Sequence, residues 1–300
     1  AIVQRQYYKV PVGAAPAKRP VVVGFGPAGM FAALVLAMAG CRPLVLERGE
    51  DAAARHEKVQ RFFETGELDE KSNVQFGEVG AGTFSDGKLN TGVNNPRIGW
   101  ILEQFVKFGA REDILFDAKP HIGTDVLLNV VQNLRKRVIE LGGEVRFNTR
   151  MTQILTADGR VTGVRTDDGV IACDRLILAI GHSARDTFEM LHEMQIPMEP
   201  KPFAMGVRIE HPQAWIDEAQ YGSTALPLPP ADYKLVRHLE SETVYTFCMC
   251  PGGHVVAAAS EEGGIVTNGM SNADRDGENA NAALLVSLNP KDFPFDGVLG

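Results

Sequence analysis

Three glycines and one acid in the first fifty residues have a spacing that suits a phosphate-bearing ligand. In "VVVGFGPAGMFAALVLAMAG", residues 21–40, Gly24, Gly26 and Gly29 form a GxGxxG run, and Glu47 follows Gly29 after seventeen intervening residues. Gly24 allows a sharp turn, Gly26 removes a side chain where a pyrophosphate must approach the backbone, and Gly29 lets a helix lie close on a strand. The phosphates then rest on the free N–H groups of a helix N-terminus. A carboxylate at Glu47 can accept both hydroxyls of an adenosine ribose and repels a 2′-phosphate, which favours FAD or NAD over NADP. A buried hydrophobic hairpin with incidental glycines would leave Glu47 unexplained.

Residues 21–40 hold no charged side chain and match the length of a membrane-spanning helix. Their internal order argues otherwise. Three β-branched residues, Val21 to Val23, meet Gly24, Gly26, Pro27 and Gly29 before the helix formers begin, so the spacing predicts a strand, a tight turn and a helix from about Pro27 to Ala39. "RPLVLERG" reads as a second strand ending at Glu47 and Arg48.

The chain has 300 residues, enough for one large core or two smaller ones. Its net charge of −8 gives no electrostatic reason to expect nucleic acid or an anionic membrane as partner. Cys41, Cys173, Cys248 and Cys250 show no disulfide framework and no stretch reads as a signal peptide, so a cytoplasmic protein is expected.

After Glu47 the chain makes a long excursion. "GEVGAGTFSDGKLNTGVNNPR", residues 77–97, is rich in glycine, hydroxyl and amide residues, suited to laying backbone N–H groups along a phosphate or ribityl chain, or to an ordinary loop. Residues 124–143 have apolar positions at helical spacing and end in a Gly pair. "ADGR" and "DDGV" then separate short β-type runs, predicting a three-stranded antiparallel meander that returns to a buried strand, Leu176 to Ile180, closed by Gly181.

This order resembles the two-dinucleotide-binding flavoproteins of the glutathione reductase fold, with Ile180 standing where their Ala-Thr-Gly motif has threonine. "GFGPAGMFAA", "GTFSDGKLNTG", "PFAMGVRIEHP", "FCMCPGG" and "VTNGMS" together resemble a bacterial family of uncharacterised FAD-dependent dehydrogenases over nearly the whole chain. The resemblance implies that Gly24, Phe25, Gly26, Pro27, Ala28 and Gly29 hold the pyrophosphate, with Glu47 and the adjacent Arg48 at the adenosine ribose. It further implies Ser85, Asp86, Gly87, Lys88 and Asn90 along the pyrophosphate and flavin side, Met151 offering its backbone to adenine, and Gly181 and His182 facing the crevice. The Cys-x4-Cys pair of the disulfide oxidoreductases is missing from "GTFSDGKLN", which excludes dithiol exchange through that loop. A late Gly-Asp motif is also missing, and the chain starts at Ala1, so a fragment is expected.

The implied fold class is α/β: a Rossmann-like FAD-binding βαβ domain with the antiparallel meander, plus an α+β substrate domain. The expected boundaries are an N-terminal extension over 1–20, the FAD-binding domain over 21–197 and the substrate-facing domain over 198–300. In the last, Arg208 reads either as a grip for an anionic substrate or as the partner of a structural carboxylate. Around "FCMCPGG", strand alternation puts Cys248 and Cys250 on one face, with His254 beyond the PGG turn. A metal site lacks a fourth ligand there, so none is expected. A thiol active near the flavin and a pair of core cysteines both stay open.

The reading is an FAD-dependent oxidoreductase passing hydride or electrons through flavin to or from a small molecule, with Cys248, Cys250 and His254 as the candidates for catalysis. No second GxGxxG is present, so NAD(P)H stays open as a donor beside direct reduction by substrate. A flavin-sensing protein, a flavin-dependent RNA-modifying enzyme and an NAD-binding dehydrogenase are the alternatives.

Overall fold

The computed structural model describes residues 8–223, 226–240 and 242–293. The ends of the expected N-terminal extension and of the expected substrate domain lie outside them. In chain order the elements are β1 (Val21–Val23), α1 (Pro27–Met38), β2 (Leu44–Leu46), α2 (Ala52–Thr65), α3 (Arg97–Lys107), α4 (Thr124–Glu140) and β3 (Glu144–Arg146). Next come β4 (Met151–Ala157), β5 (Arg160–Thr166), β6 (Gly169–Ala172), β7 (Leu176–Leu178) and α5 (Arg185–Glu193). The last stretch holds β8 (Phe203–Pro212), α6 (Gln213–Tyr221), β9 (Val236–His238), β10 (Thr243–Cys250), β11 (Gly253–Ala257), β12 (Thr267–Ser271) and β13 (Asn279–Leu288).

β1, β2, β3 and β7 form a parallel sheet in the order β3-β2-β1-β7, with Val22 opposite both Val45 and Ile177. Period-two alternation divides its side chains between two cores. Val22 and Val45 pack with Met30, Ala33 and Leu34 of α1 and Leu127, Val130, Val131 and Leu134 of α4. Val21, Val23, Leu44 and Leu46 face the other way, onto Met151, Ile154 and Val164 of the meander and Leu191 of α5. Burial on both faces is why these strands read as unbroken apolar runs rather than alternating ones.

The meander β4-β5-β6 is antiparallel, as the two Asp-Gly turns predict. β7 differs from its expectation. It ends at Leu178, and Ile177 and Leu178 are 36% and 37% exposed rather than buried. The cause is its place at the margin of the sheet, paired only with β1 among the described residues.

β8, β13, β10 and β9 form an antiparallel sheet in that order, and β11 pairs with β12. The two strands flanking "PGG" thus belong to different sheets. Among the described residues no helix is long and apolar enough to cross a membrane.

Candidate functional site

β1 delivers the chain into a turn that only glycine can make. Gly24 has φ +94°, and a Cβ there would collide with the carbonyl of Ala179 just beyond β7. A Cβ on Gly29 would in turn collide with the Gly24 carbonyl, so α1 lies against its own entry turn. Gly26 is different in kind: the nearest atom to a Cβ there is Val79 O at 3.9 Å, so protein packing leaves that position open. Gly26 is also the N-cap of α1, which starts with Pro27 and has no side-chain cap, leaving the helix N-terminus to an outside acceptor.

Glu47 follows β2 and is 4% exposed. Its Oε2 accepts from Phe25 N at 2.7 Å, and its Oε1 accepts from Gly49 N at 2.9 Å and Gly77 N at 3.1 Å. A carboxylate offers about four acceptor sites, so this one ties three chain segments together and keeps capacity for a ligand donor. Phe25 contributes its backbone here, its ring being buried in the core.

The third segment, residues 73–83, is organised by Arg55 of α2, whose side chain is fully buried. Its guanidinium donates to the carbonyl oxygens of Asn73 (2.7 Å), Val74 (2.8 Å), Glu78 (2.5 Å) and Gly80 (2.7 Å), and to Thr83 Oγ1 (3.2 Å). Burial pulls its pKa down to about 10 against the attraction of Glu47 and Glu78. Burial also raises the Glu78 pKa, although its Oε2 accepts from Ala52 N (2.8 Å) and lies 3.3 Å from Arg135 Nη1.

These segments enclose a cavity of about 470 Å³, within the range of small-molecule sites. Gly24, Gly26, Pro27, Ala28, Glu47, Arg48, Met151, Gly181 and His182 all line it. Arg48 donates to Asp186 of α5 at 2.8 Å and stacks 4.5 Å from the Phe76 ring centroid, while His182 Nδ1 lies 2.9 Å from Ser183 Oγ. The wall also includes Gln75, Phe76, Gly77, Gly80, Ala81, Thr149 and Thr187. Of these only Gly77, Gly80 and Ala81 lie in the glycine-rich stretch that composition singles out; the rest carry no local signal. A second concavity of about 760 Å³ beyond α2 is lined by Lys58, Arg61 and Asp69 among others. Its Lys58 is held by Glu50 and Asp69 and its Arg61 by Glu67.

Ser85, Asp86, Gly87, Lys88 and Asn90 do not line the cavity; they run towards β10 and β12 instead. Asp86, 1% exposed, pairs with Arg275 Nη2 at 2.7 Å and Lys88 Nζ at 3.0 Å and accepts from Ser271 Oγ. Burial works to raise its pKa, but Lys88, Arg275 and the Ser271 hydroxyl overcome this and hold it below the usual carboxylate range. Gly87 has φ +68°, Ser85 Oγ accepts from Gly87 N at 3.2 Å, and Asn90 is exposed.

A depressed acid pKa adds stability that is full above the ordinary aspartate range and is lost as pH falls through the lowered value. Asp86→Asn is therefore expected to cost about 2 kcal/mol at pH 7, because Arg275 and Lys88, 15% and 27% exposed, can regain part of their hydration. Urea denaturation at descending pH should show the gap between wild type and variant closing below about pH 4.

Cys248 and Cys250 come together, though not by simple alternation. The β10–β13 register slips between Phe247 and Cys250, and Cys248 takes φ +48°. Among the described residues Arg208 pairs with no carboxylate: its Nη1 donates to Asn281 Oδ1 at 2.5 Å and to Cys248 O at 3.3 Å. His254 lies exposed on β11, opposite Met270.

Comparison with known proteins gives two family matches. The model of the flavin containing amine oxidoreductases matches residues 51–205, and that of the FAD-dependent protein, C-terminal domain-like family matches residues 202–300. An uncharacterised protein of Clostridium beijerinckii is 52% identical over 279 residues, covering 92% of this chain and 52% of that protein. Protein FixC of Bradyrhizobium diazoefficiens is 31% identical over 166 residues, 54% of this chain and 36% of FixC. This chain thus spans about half the length of the first relative and about a third of the second. The solved structure of glycine oxidase from Bacillus cereus aligns over 64% of this chain and 63% of that one, at 14% identity and a TM-score of 0.40.

Proposed function

This chain belongs to the family of flavin containing amine oxidoreductases, and on that premise we propose that its cavity binds the adenosine diphosphate half of FAD in an oxidoreductase acting on a small molecule. The observation that carries the reading is the convergence of the open Gly26 position, the uncapped start of α1 and the buried Glu47 carboxylate on one cavity.

The donor set fits the group. A ribose hydroxyl would donate to the remaining acceptor site of Glu47, and the pyrophosphate would lie over Gly26 to Gly29 at the positive end of α1. Met151 would present its backbone to adenine, while Gly181 and His182 would border the crevice at the carboxyl end of β7. In this reading residues 21–197 are a Rossmann-like, glutathione-reductase-type domain after a short N-terminal extension. Residues 198–300 face the substrate. When bound, the isoalloxazine supplies two-electron or hydride exchange. The chain's own residues bind, orient and shield it. Amines are the first substrate class to try, NAD(P)H is the alternative electron source, and the cytoplasm is the proposed location.

The test is the visible spectrum of the purified protein, reconstituted with FAD where needed, followed by chromatography of the cofactor released on denaturation. Absorbance near the flavin maxima and released FAD are expected. Anaerobic bleaching by an amine panel, NADH or NADPH then identifies the donor. A colourless protein that cannot be loaded with FAD and instead binds NADH would overturn the reading.

A further inference from the structure

A cluster outside the cavity lining has the composition of a reactive thiol site. Cys248 and Cys250 flank Met249 at the end of β10, where the strand bulges against β13 and Cys248 occupies the left-handed region that a non-glycine residue enters at some cost. The Cys250 thiol donates towards Cys248 O at 3.3 Å and also meets the Cys248 thiol. Lys88 Nζ stands 3.7 Å from Cys250 Sγ, and Arg208 reaches in from β8.

Gly269 of β12 makes the room. A Cβ placed there would collide with Asn281 Oδ1, Arg208 Nη1 and Cys250 Sγ together, so three functional side chains converge on one small space. Asn281 is fully buried and its Nδ2 has no hydrogen-bond partner among the described residues, an unusual state for a buried amide. It pairs in register with Cys250. An unsatisfied donor beside two cations and two thiols is what a group developing negative charge on sulfur requires.

We propose that Cys248 and Cys250 form a redox-active dithiol that exchanges with small-molecule disulfides, Cys248 attacking and the buried Cys250 resolving. Cys248 is the half-buried member of the pair and Cys250 the buried one, which sets that order of action. In the first step the Cys248 thiolate attacks one sulfur of a disulfide RSSR, forming a mixed disulfide and releasing RS⁻. In the second, Cys250 gives its proton to that RS⁻ and attacks the Cys248 sulfur, closing the Cys248–Cys250 disulfide and expelling the second RS⁻. The protein pair loses two electrons and the small disulfide gains them. Lys88 and Arg208 favour the charged form of Cys248, and Asp86 opposes it. The hydrogen bond from Cys250 weighs most, outweighs burial and brings the Cys248 thiol down to about 6, while Cys250 is pushed above its usual range. The inference stands apart from the cofactor reading.

The probe is glutathione disulfide, applied to the purified 300-residue protein and followed by alkylation and peptide mass mapping. Wild type is expected to lose alkylation at both Cys248 and Cys250 without keeping glutathione, whereas Cys250→Ser should keep one glutathione on Cys248. Iodoacetamide labelling of wild-type Cys248 should rise with a midpoint near pH 6, and at that pH run about tenfold faster than labelling of an unperturbed cysteine peptide once the lower nucleophilicity of a low-pKa thiolate is included. Lys88→Met should move the midpoint up. A midpoint in the ordinary thiol range, a glutathione adduct that persists on wild-type Cys248, or no reaction with glutathione disulfide would each overturn the proposal. If Cys250→Ser fails to fold, the wild-type mapping and pH profile decide it.

Discussion

An Arg55→Met protein is expected to lose roughly 4–5 kcal/mol of stability, a drop in Tm of about 10 °C or more for a chain of this size. Methionine approximates the aliphatic stem but supplies no donor. All five N–H groups of the guanidinium are used, four on backbone carbonyls between Asn73 and Gly80, so the change strands buried acceptors that water cannot reach. Residues 75–81 would then leave the cavity wall, and ligand retention should fall with stability. Arg55→Lys keeps the charge, yet three donors in another geometry cannot replace a planar fork, so recovery should be partial. Urea denaturation of the three proteins checks this. A methionine variant within 1 kcal/mol of wild type would show that residues 73–83 hold their own shape.

The second large effect is expected at Glu47. Glu47→Gln should weaken FAD binding at least about a hundredfold, which corresponds to roughly 2.7 kcal/mol. Both carboxylate oxygens already accept backbone N–H groups, from Phe25 on one side and from Gly49 and Gly77 on the other. Whichever way the amide turns, its NH2 faces a donor. The variant therefore loses an acceptor for the ribose and also distorts the turn that positions α1. Equilibrium dialysis against FAD, with circular dichroism to register folding, separates the two effects. Binding within threefold of wild type would remove Glu47 from the site.

The part of the site that sequence makes legible is the part built from neighbours in the chain. Gly24, Gly26 and Gly29 are fixed by one turn, and Glu47 by the helix and strand that follow it, so spacing alone brings them to one cavity. The wall at Gln75 and Phe76 was not legible, because it depends on an arginine in α2 that reads as an ordinary solvent-facing residue. Asp86 was read for a ligand, and its half-buried partner Arg275 lies 189 residues away. Strand alternation put Cys248 and Cys250 on one face but gave no sign of the bulge that brings their thiols together, since a register slip is set by the partner strand. β7 was expected to be buried because its apolar run looks like β1, and composition does not distinguish a central strand from a marginal one.

The pairing of β1 with β7 also orders events during synthesis. β1 can meet β2 as soon as α1 has formed, but Val21 pairs with Leu176, which is made 155 residues later (176 − 21). At ribosomal rates of about 5–20 residues per second, that edge of β1 waits roughly 8–30 seconds for its partner. Contacts of such separation are slow to close even when both strands are present. The nascent chain therefore carries an open, wholly apolar strand edge while those 155 residues are made, a natural client for a chaperone, and the cavity cannot close until β7 is in place.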